Sequence, residues 1–403
     1  MAISSDFPQV DRRLFLKAGG LAAGALAAGA LPLGRARSAA GGRKWRAAII
    51  GFTGGGDYGH GYDRAFTGVP GVRVVAAADP DPAGRARAAR RSGAERTYAD
   101  YRRMLRVERP ELVSIAFRHP RRHLEVALAA FEAGAHVILE KPMTETLPQA
   151  DELVRAARRA GVHVAVAHSR RYMRDFQRLA ELIRRGFLGE IREIHIHGKQ
   201  DSRVGGEDMI VLGVHDFDML RWFFGDPAWC FGNVLQGGRD ATPADAREGR
   251  EPIRVAGDTV RACFGFSGNF QAAWCSVAAG DGWNRPKGPR EHWAFEILGT
   301  RRVAAWQSLA GMGLLDSPDL LHMEKPVPWK PLPEPEGWAP PPYRKSVGLD
   351  LLHAVESGEP PASDALAGRW TLEMVAAVYQ SHFRRERVAF PLRDRRDPLA
   401  PAS

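Results

Sequence analysis

Ile49-Ile50-Gly51-Phe52-Thr53-Gly54-Gly55-Gly56-Asp57-Tyr58-Gly59 is an apolar run that breaks into a glycine-rich loop. The run before it, from Trp45 to Gly51, reads as a buried strand. A second run, Val72-Arg73-Val74-Val75-Ala76-Ala77-Ala78-Asp79, ends in an acid about twenty residues past the loop. A third, Ala135-His136-Val137-Ile138-Leu139-Glu140-Lys141-Pro142, ends in an acid, a lysine and a proline. Further apolar runs lie at 111–117 and 162–167, with helical patterns at 81–91, 121–133 and 147–160 between them. Strands that are apolar throughout and alternate with helices predict a doubly wound parallel sheet, an α/β Rossmann domain over residues 44–167.

Ligands bind such sheets at the carboxyl ends of their strands, where both the glycine loop and Lys141 fall. Glycines let the backbone approach a pyrophosphate, and a helix after the loop favours its charge. Two registers are open. Gly54, Gly56 and Gly59 match the spacing fully, whereas Gly51, Thr53 and Gly56 start at the strand end. Asp79 is placed to accept from ribose hydroxyls and to repel a 2′-phosphate, which favours NAD over NADP; its alternative role is a helix cap. The basic residues are eight lysines and 49 arginines, so a lysine just after a buried strand stands out. Glu324-Lys325-Pro326 repeats the tripeptide in a proline-rich stretch with no strand before it, so context and not the letters carries the claim.

After Arg170 the rhythm changes. A helix at 175–185 precedes Ile191-Arg192-Glu193-Ile194-His195-Ile196-His197, a period-two strand with one polar face. Hairpin-linked strands follow at 258–266, 270–278, 293–298 and 302–307, and helices at 346–356 and 365–384. Residues 168–392 therefore form an α+β domain with a mainly antiparallel sheet, with helix 365–384 packing back near the first domain and 393–403 as a tail. Residues 316–343 carry nine prolines and read as a surface loop or an arm over the site or a second subunit.

Residues 1–40 read as an export signal. Arg12 and Arg13 precede a weakly apolar alanine- and glycine-rich stretch, and small residues follow at Ser38-Ala39-Ala40. The paired arginines mark the twin-arginine route, whose cargo folds before it leaves the cytoplasm. Outside, no free nicotinamide pool awaits, so the cofactor is expected to stay bound. The signal is too glycine-rich for a stable membrane span. Without its five basic and two acidic residues, the net charge of +10 becomes +7. The excess is arginine scattered along helices and not interleaved with aromatics, which argues against nucleic-acid binding. Cys230, Cys263 and Cys275 make a poor disulfide framework, and no spacing suggests a metal site.

The strand and glycine loop, Asp79, Glu140-Lys141-Pro142, Gly205-Gly206 and His215-Asp216-Phe217-Asp218-Met219-Leu220-Arg221-Trp222, in that order, resemble the Gfo/Idh/MocA oxidoreductase family. The resemblance runs from residue 45 to about 392 and implies a Rossmann domain followed by an open-faced sheet domain. It places Glu140 and Lys141 at the cofactor, with the Lys141 ammonium polarising the reacting hydroxyl. It makes His215 the proton acceptor. By helical spacing Asp218, three residues on, falls one turn away and is placed to orient it. Arg171, Tyr172 and Lys199 fall where the family meets substrate. The family's usual acid four residues before the histidine is Val211 here; Asp208 stands in for it, or the site lacks it. Phe117-Arg118-His119 also departs from the family's small residue and proline. The implied activity is hydride transfer from a sugar, cyclitol or related polyol by a homo-oligomer, a dimer or tetramer. The rival within the superfamily is an NAD-dependent glycoside hydrolase with no net redox change. A non-catalytic sugar-binding protein is a third class.

Overall fold

A computed structural model describes residues 44–278, 293–308, 310–316 and 329–400. The export signal, the second Glu-Lys-Pro tripeptide and most of the proline-rich stretch lie outside the described residues.

Six strands form the first sheet: β1 (Trp45–Ile50), β2 (Val72–Ala78), β3 (Arg96–Tyr98), β4 (Leu112–Ile115), β5 (His136–Leu139) and β6 (Val164–Val166). Their order is β3-β2-β1-β4-β5-β6, all parallel, the dinucleotide-binding order with its switch point between β1 and β4. Helices α1 (Pro82–Ser92), α2 (Tyr101–Glu108), α3 (His123–Glu132) and α4 (Leu147–Ala160) cross between strands. Local chemistry sets their ends. Thr146 and Gln149 form a capping box that starts α4, Pro148 sits in its first turn, and Gly161 stops it in a left-handed conformation.

One expectation fails in this domain. The glycine loop does not lead into an α-helix. It folds on itself through a Phe52–Asp57 bridge and reaches only a short 3₁₀ turn at Tyr62–Arg64. Five glycines between 51 and 59 make helix too costly there.

The chain then runs through α5 (Arg174–Arg184) to the second sheet. That sheet contains β7 (Ile191–His197), β8 (Trp229–Gln236), β9 (Arg239–Asp240), β12 (Thr259–Gly265), β13 (Gln271–Ser276), β14 (Ala294–Gly299), β15 (Val303–Gln307), β16 (Gly311–Leu315) and β17 (Val388–Ala389). A small hairpin, β10 (Arg247–Glu248) with β11 (Arg254–Val255), stands apart. The order is β16-β15-β14-β7-β13-β12-β8-β17, antiparallel except where β7 meets β13. On one face lie α6 (Val214–Phe224) and α8 (Ala365–Arg384), with α7 (Val347–Ser357) against the first sheet.

Strand β8 was not anticipated. It carries Gly232 at its centre and exposes Phe231, which is 48% accessible, so neither propensity nor alternation signals a strand. Gly232 is there because α8 crosses it closely. A Cβ at 232 would lie 2.4 Å from the Val378 carbonyl oxygen. Helix α8 also packs on α4, and Arg395 ties that junction by donating to Asp151 and Glu373. The described part of the proline-rich stretch runs along α5, where Glu334 pairs with Arg174 and Arg178. The three cysteines are free thiols.

Candidate active site

Strand β5 ends at Leu139 and delivers Glu140 and Lys141 to the carboxyl edge of the sheet, both buried. Glu140 accepts from the His60 amide (3.0 Å), from His60 Nδ1 and from the Lys141 amide (2.7 Å). Burial raises its pKa, but these partners and the Lys141 charge outweigh that and hold it ionised. His123, buried on α3, stands between the Phe117 and Pro142 carbonyls at 2.8 and 3.0 Å and fixes the turn after Lys141. The Lys141–Pro142 peptide is cis.

Opposite, the chain enters α6 through a helical turn at Gly206–Asp208 and a wide π-turn at Met209–Gly213. A π-turn breaks the regular ladder of helical bonds. The Val211 carbonyl takes the Lys141 ammonium at 2.8 Å. At the position where the family carries an acid, a backbone dipole therefore faces the lysine. Burial lowers the Lys141 pKa, while Glu140 and Glu251 oppose the shift. An ammonium has three donors, so two remain for a ligand.

His215 is buried, and its Nδ1 has no partner among the described residues. Burial, then the charges of Lys141, His168, Arg170 and His60, push its pKa well below the usual value and keep it neutral. The Lys141 charge thus reaches His215, and the Trp293 ring lies 5.8 Å from the His215 ring.

Several assigned roles change. Asp218 does not orient His215; it takes both Arg171 donors at 2.8 Å and lies 3.4 Å from His168 Nδ1. Its helical spacing from His215 was right, but the positive partners on the other side claimed it. Those partners hold its carboxyl far below the usual range against the effect of burial. Arg171 is therefore engaged, stacked over Trp222 at 5.1 Å. Tyr172 donates to Asp350 at 2.9 Å beneath the first sheet and is not placed to meet substrate. Asp208 faces the second sheet, accepting from Ser276 Oγ (2.7 Å) and the Gln200 amide (3.0 Å), and is not beside Lys141. Burial lifts its pKa to about 7, the two hydrogen bonds oppose this, and Asp216 and Asp201 add to it. Lys199 lies 3.7 Å from Asp201, in a rim where Arg203 and Arg118 both approach Glu251.

Sequence reasoning missed His60 and His168. His60 follows Gly59 in the loop and buttresses Glu140. His168 stands two residues past β6, at the same sheet edge as Lys141, and that position was its only signal. Arg170 was also missed. It is buried against Asp216 and over Trp293 and Trp306 at 4.5 and 4.8 Å.

The loop residues fit a dinucleotide. Gly56 has φ +91°, and a Cβ there would lie 2.5 Å from the Arg118 amide. The Gly56 and Tyr58 amides donate no backbone hydrogen bond among the described residues, which suits a loop that wraps phosphate oxygens. Gly54 also has positive φ, while Gly51 is covered by the Tyr58 ring and Gly59 abuts Glu140. Asp79 braces the loop by accepting from the Thr53 amide and hydroxyl and from the Asp81 amide. Beyond Arg171, a cavity of about 510 Å³ lined by Trp222, Phe223, Trp338 and Arg344 opens, and none of Lys141, His168 or His215 lines it.

Fold and site combine a dinucleotide-type parallel sheet with a buried lysine and a buried neutral histidine. Residues 45–168 match the Gfo/Idh/MocA oxidoreductase family with its NAD-binding Rossmann fold, and 176–304 match the family's C-terminal domain. Together they span more than half of the chain, which belongs to this family. NAD is the cofactor of that domain. The chain is 31% identical to D-apiose dehydrogenase of Paraburkholderia graminis, over 46% of this chain and 51% of that protein. It is also 31% identical to the scyllo-inositol 2-dehydrogenase (NADP(+)) of Bacillus subtilis, over 30% and 37%. The chain thus spans about half the length of these relatives or less. A levoglucosan dehydrogenase solved with NADH and levoglucosan shares the fold, with TM-score 0.66 and 20% identity over 87% of this chain and 100% of that one.

Proposed function

We propose that this chain is an NAD-dependent dehydrogenase of a sugar, cyclitol or related polyol, exported by the twin-arginine route with its cofactor tightly held. The observation that carries the reading is Lys141. A buried ammonium with one backbone acceptor faces a neutral histidine at the mouth of a dinucleotide sheet.

Bound NAD supplies a hydride acceptor. The protein's part is to manage the hydroxyl. Two free N–H groups of Lys141 grip the substrate oxygen and stabilise the negative charge that grows on it. His215 is neutral and takes the hydroxyl proton. Glu140 keeps Lys141 in place through its amide and by charge. Arg118, Arg203 and Lys199, balanced by Asp201 and Glu251, form a polar rim suited to hydroxyl-rich ligands. Preference for NAD over NADP rests on the Asp79 charge beside the loop. Self-association as a dimer or tetramer through the second sheet belongs to the same proposal. The named relatives are dehydrogenases and lend nothing to the hydrolytic alternative.

A sugar and polyol screen read at the nicotinamide absorbance tests this, beside nitrophenyl glycosides. Wild type is expected to reduce NAD with at least one polyol, and Lys141→Met to lose about 10²–10³-fold in kcat/KM. Glycoside cleavage without net NAD reduction, or full activity of Lys141→Met, refutes it. Mass spectrometry of the purified protein is expected to show bound NAD, and an Arg12→Lys, Arg13→Lys chain to remain in the cytoplasm.

A further inference from the structure

His215 has a difficulty as a lone proton acceptor. Protonated, it becomes a buried imidazolium facing the Lys141 ammonium, with Arg170 and His60 adding positive charge. Among the described residues no carboxylate bonds to it, and Asp218 is bonded to Arg171 instead. Yet two neighbouring imidazole rings each bury a nitrogen that has no hydrogen-bond partner among the described residues. One is His215 Nδ1, the other His168 Nε2, and their rings contact at 5.8 Å between centroids and 75° between planes. A buried nitrogen without a partner is costly, and two such nitrogens on adjoining rings ask for an explanation.

His168 is oriented by what holds its other nitrogen. Nδ1 lies 2.9 Å from Ser363 Oγ and 3.4 Å from Asp218 Oδ1. Asp218, anchored by Arg171, can only accept, so Nδ1 carries the proton and Nε2 is left with a bare lone pair. This is a carboxylate–imidazole pair with its basic nitrogen pointing away from the carboxylate.

We propose that His168 is the terminal proton acceptor of the site and that His215 relays the substrate's proton to it. This rests on the dehydrogenase reading above. The hydroxyl proton passes to His215 Nε2, and a turn of the edge-on rings brings the proton on His215 Nδ1 within hydrogen-bond reach of His168 Nε2, which takes it. Bound NAD would take up the hydride from the same carbon, so that the substrate would lose two electrons and two hydrogens in all. His215 ends neutral with its tautomer exchanged. The positive charge ends on His168 beside Asp218 instead of beside Lys141. The groups facing the relay are Lys141, His60, Arg170 and Trp293 around His215, and Asp218, Arg171 and Ser363 around His168.

The test is His168→Asn. The asparagine amide keeps a donor for Ser363 and Asp218 but has no basic nitrogen at the Nε2 position. We expect kcat on the best polyol to fall about 10²-fold or more. The acid limb of the pH profile should move, and the urea unfolding midpoint should not. Histidine ¹⁵N spectra of the wild-type protein without substrate should show His168 protonated on Nδ1 and bare at Nε2. A His168 proton on Nε2, or a variant with the wild-type kcat and pH profile, overturns the relay. A wild-type protein that oxidises no polyol refutes the reaction, while the tautomer spectra still decide the role of His168.

Discussion

Asp208→Asn separates a structural carboxyl from a catalytic one. Asp208 is fully buried between the turn before α6 and the second sheet, with one oxygen bonded and Oδ1 unpartnered. Burial lifts its pKa from 3.8 to about 7. A raised carboxyl binds its proton more tightly in the folded state than in the unfolded one. Its contribution is therefore fully present below about pH 4, and stability falls as pH rises toward and through 7. At about 1.4 kcal/mol per unit, the shift of roughly three units amounts to about 4 kcal/mol of stability lost by pH 8. Asparagine offers the same oxygen to Ser276 and Gln200 and cannot ionise. Urea unfolding of both proteins from pH 5 to 8, each with excess NAD, should show the wild type losing stability relative to the variant. The gap should level off above pH 8. The variant's kcat/KM at pH 7 should stay within about three-fold of wild type, since Asp208 does not face Lys141. Parallel stability curves refute the burial argument. A drop of 10²-fold or more in kcat/KM would return Asp208 to the catalytic set.

Gly232→Ala forces a methyl against the Val378 carbonyl and should cost about 1–3 kcal/mol, read as a lower urea midpoint with unchanged KM. Tyr172→Phe removes the hydrogen bond to Asp350 and should cost about 1 kcal/mol while leaving KM for the polyol within two-fold, and a large rise in KM would place Tyr172 in the substrate site after all.

How much of the site the residues disclosed depends on where each partner came from. Glu140 and Lys141 were legible because a buried strand and its end are local features. His215 was legible by resemblance. His168 stood at an equivalent strand end but lacked a neighbouring motif. Asp218 was assigned by helical spacing, a local rule, and was captured by Arg171 and His168 from a segment some fifty residues earlier. Spacing along one helix states which side chains share a face, never which charge arrives opposite.

The sequence by itself determined the parallel sheet and the class of the second sheet, though not its strand β8, because hydrophobic periodicity of a strand or helix is set within a few residues. It also determined the sheet edge where Lys141 and the glycine loop meet. Only the tertiary structure decided that a Val211 carbonyl, exposed by a π-turn, faces Lys141. It alone decided that Gly232 serves a helix crossing, and that Asp218 belongs to His168. Those outcomes come from long-range competition among buried charges and close contacts. Each buried donor or acceptor takes the best partner that folding brings within about 3 Å, wherever along the chain that partner lies.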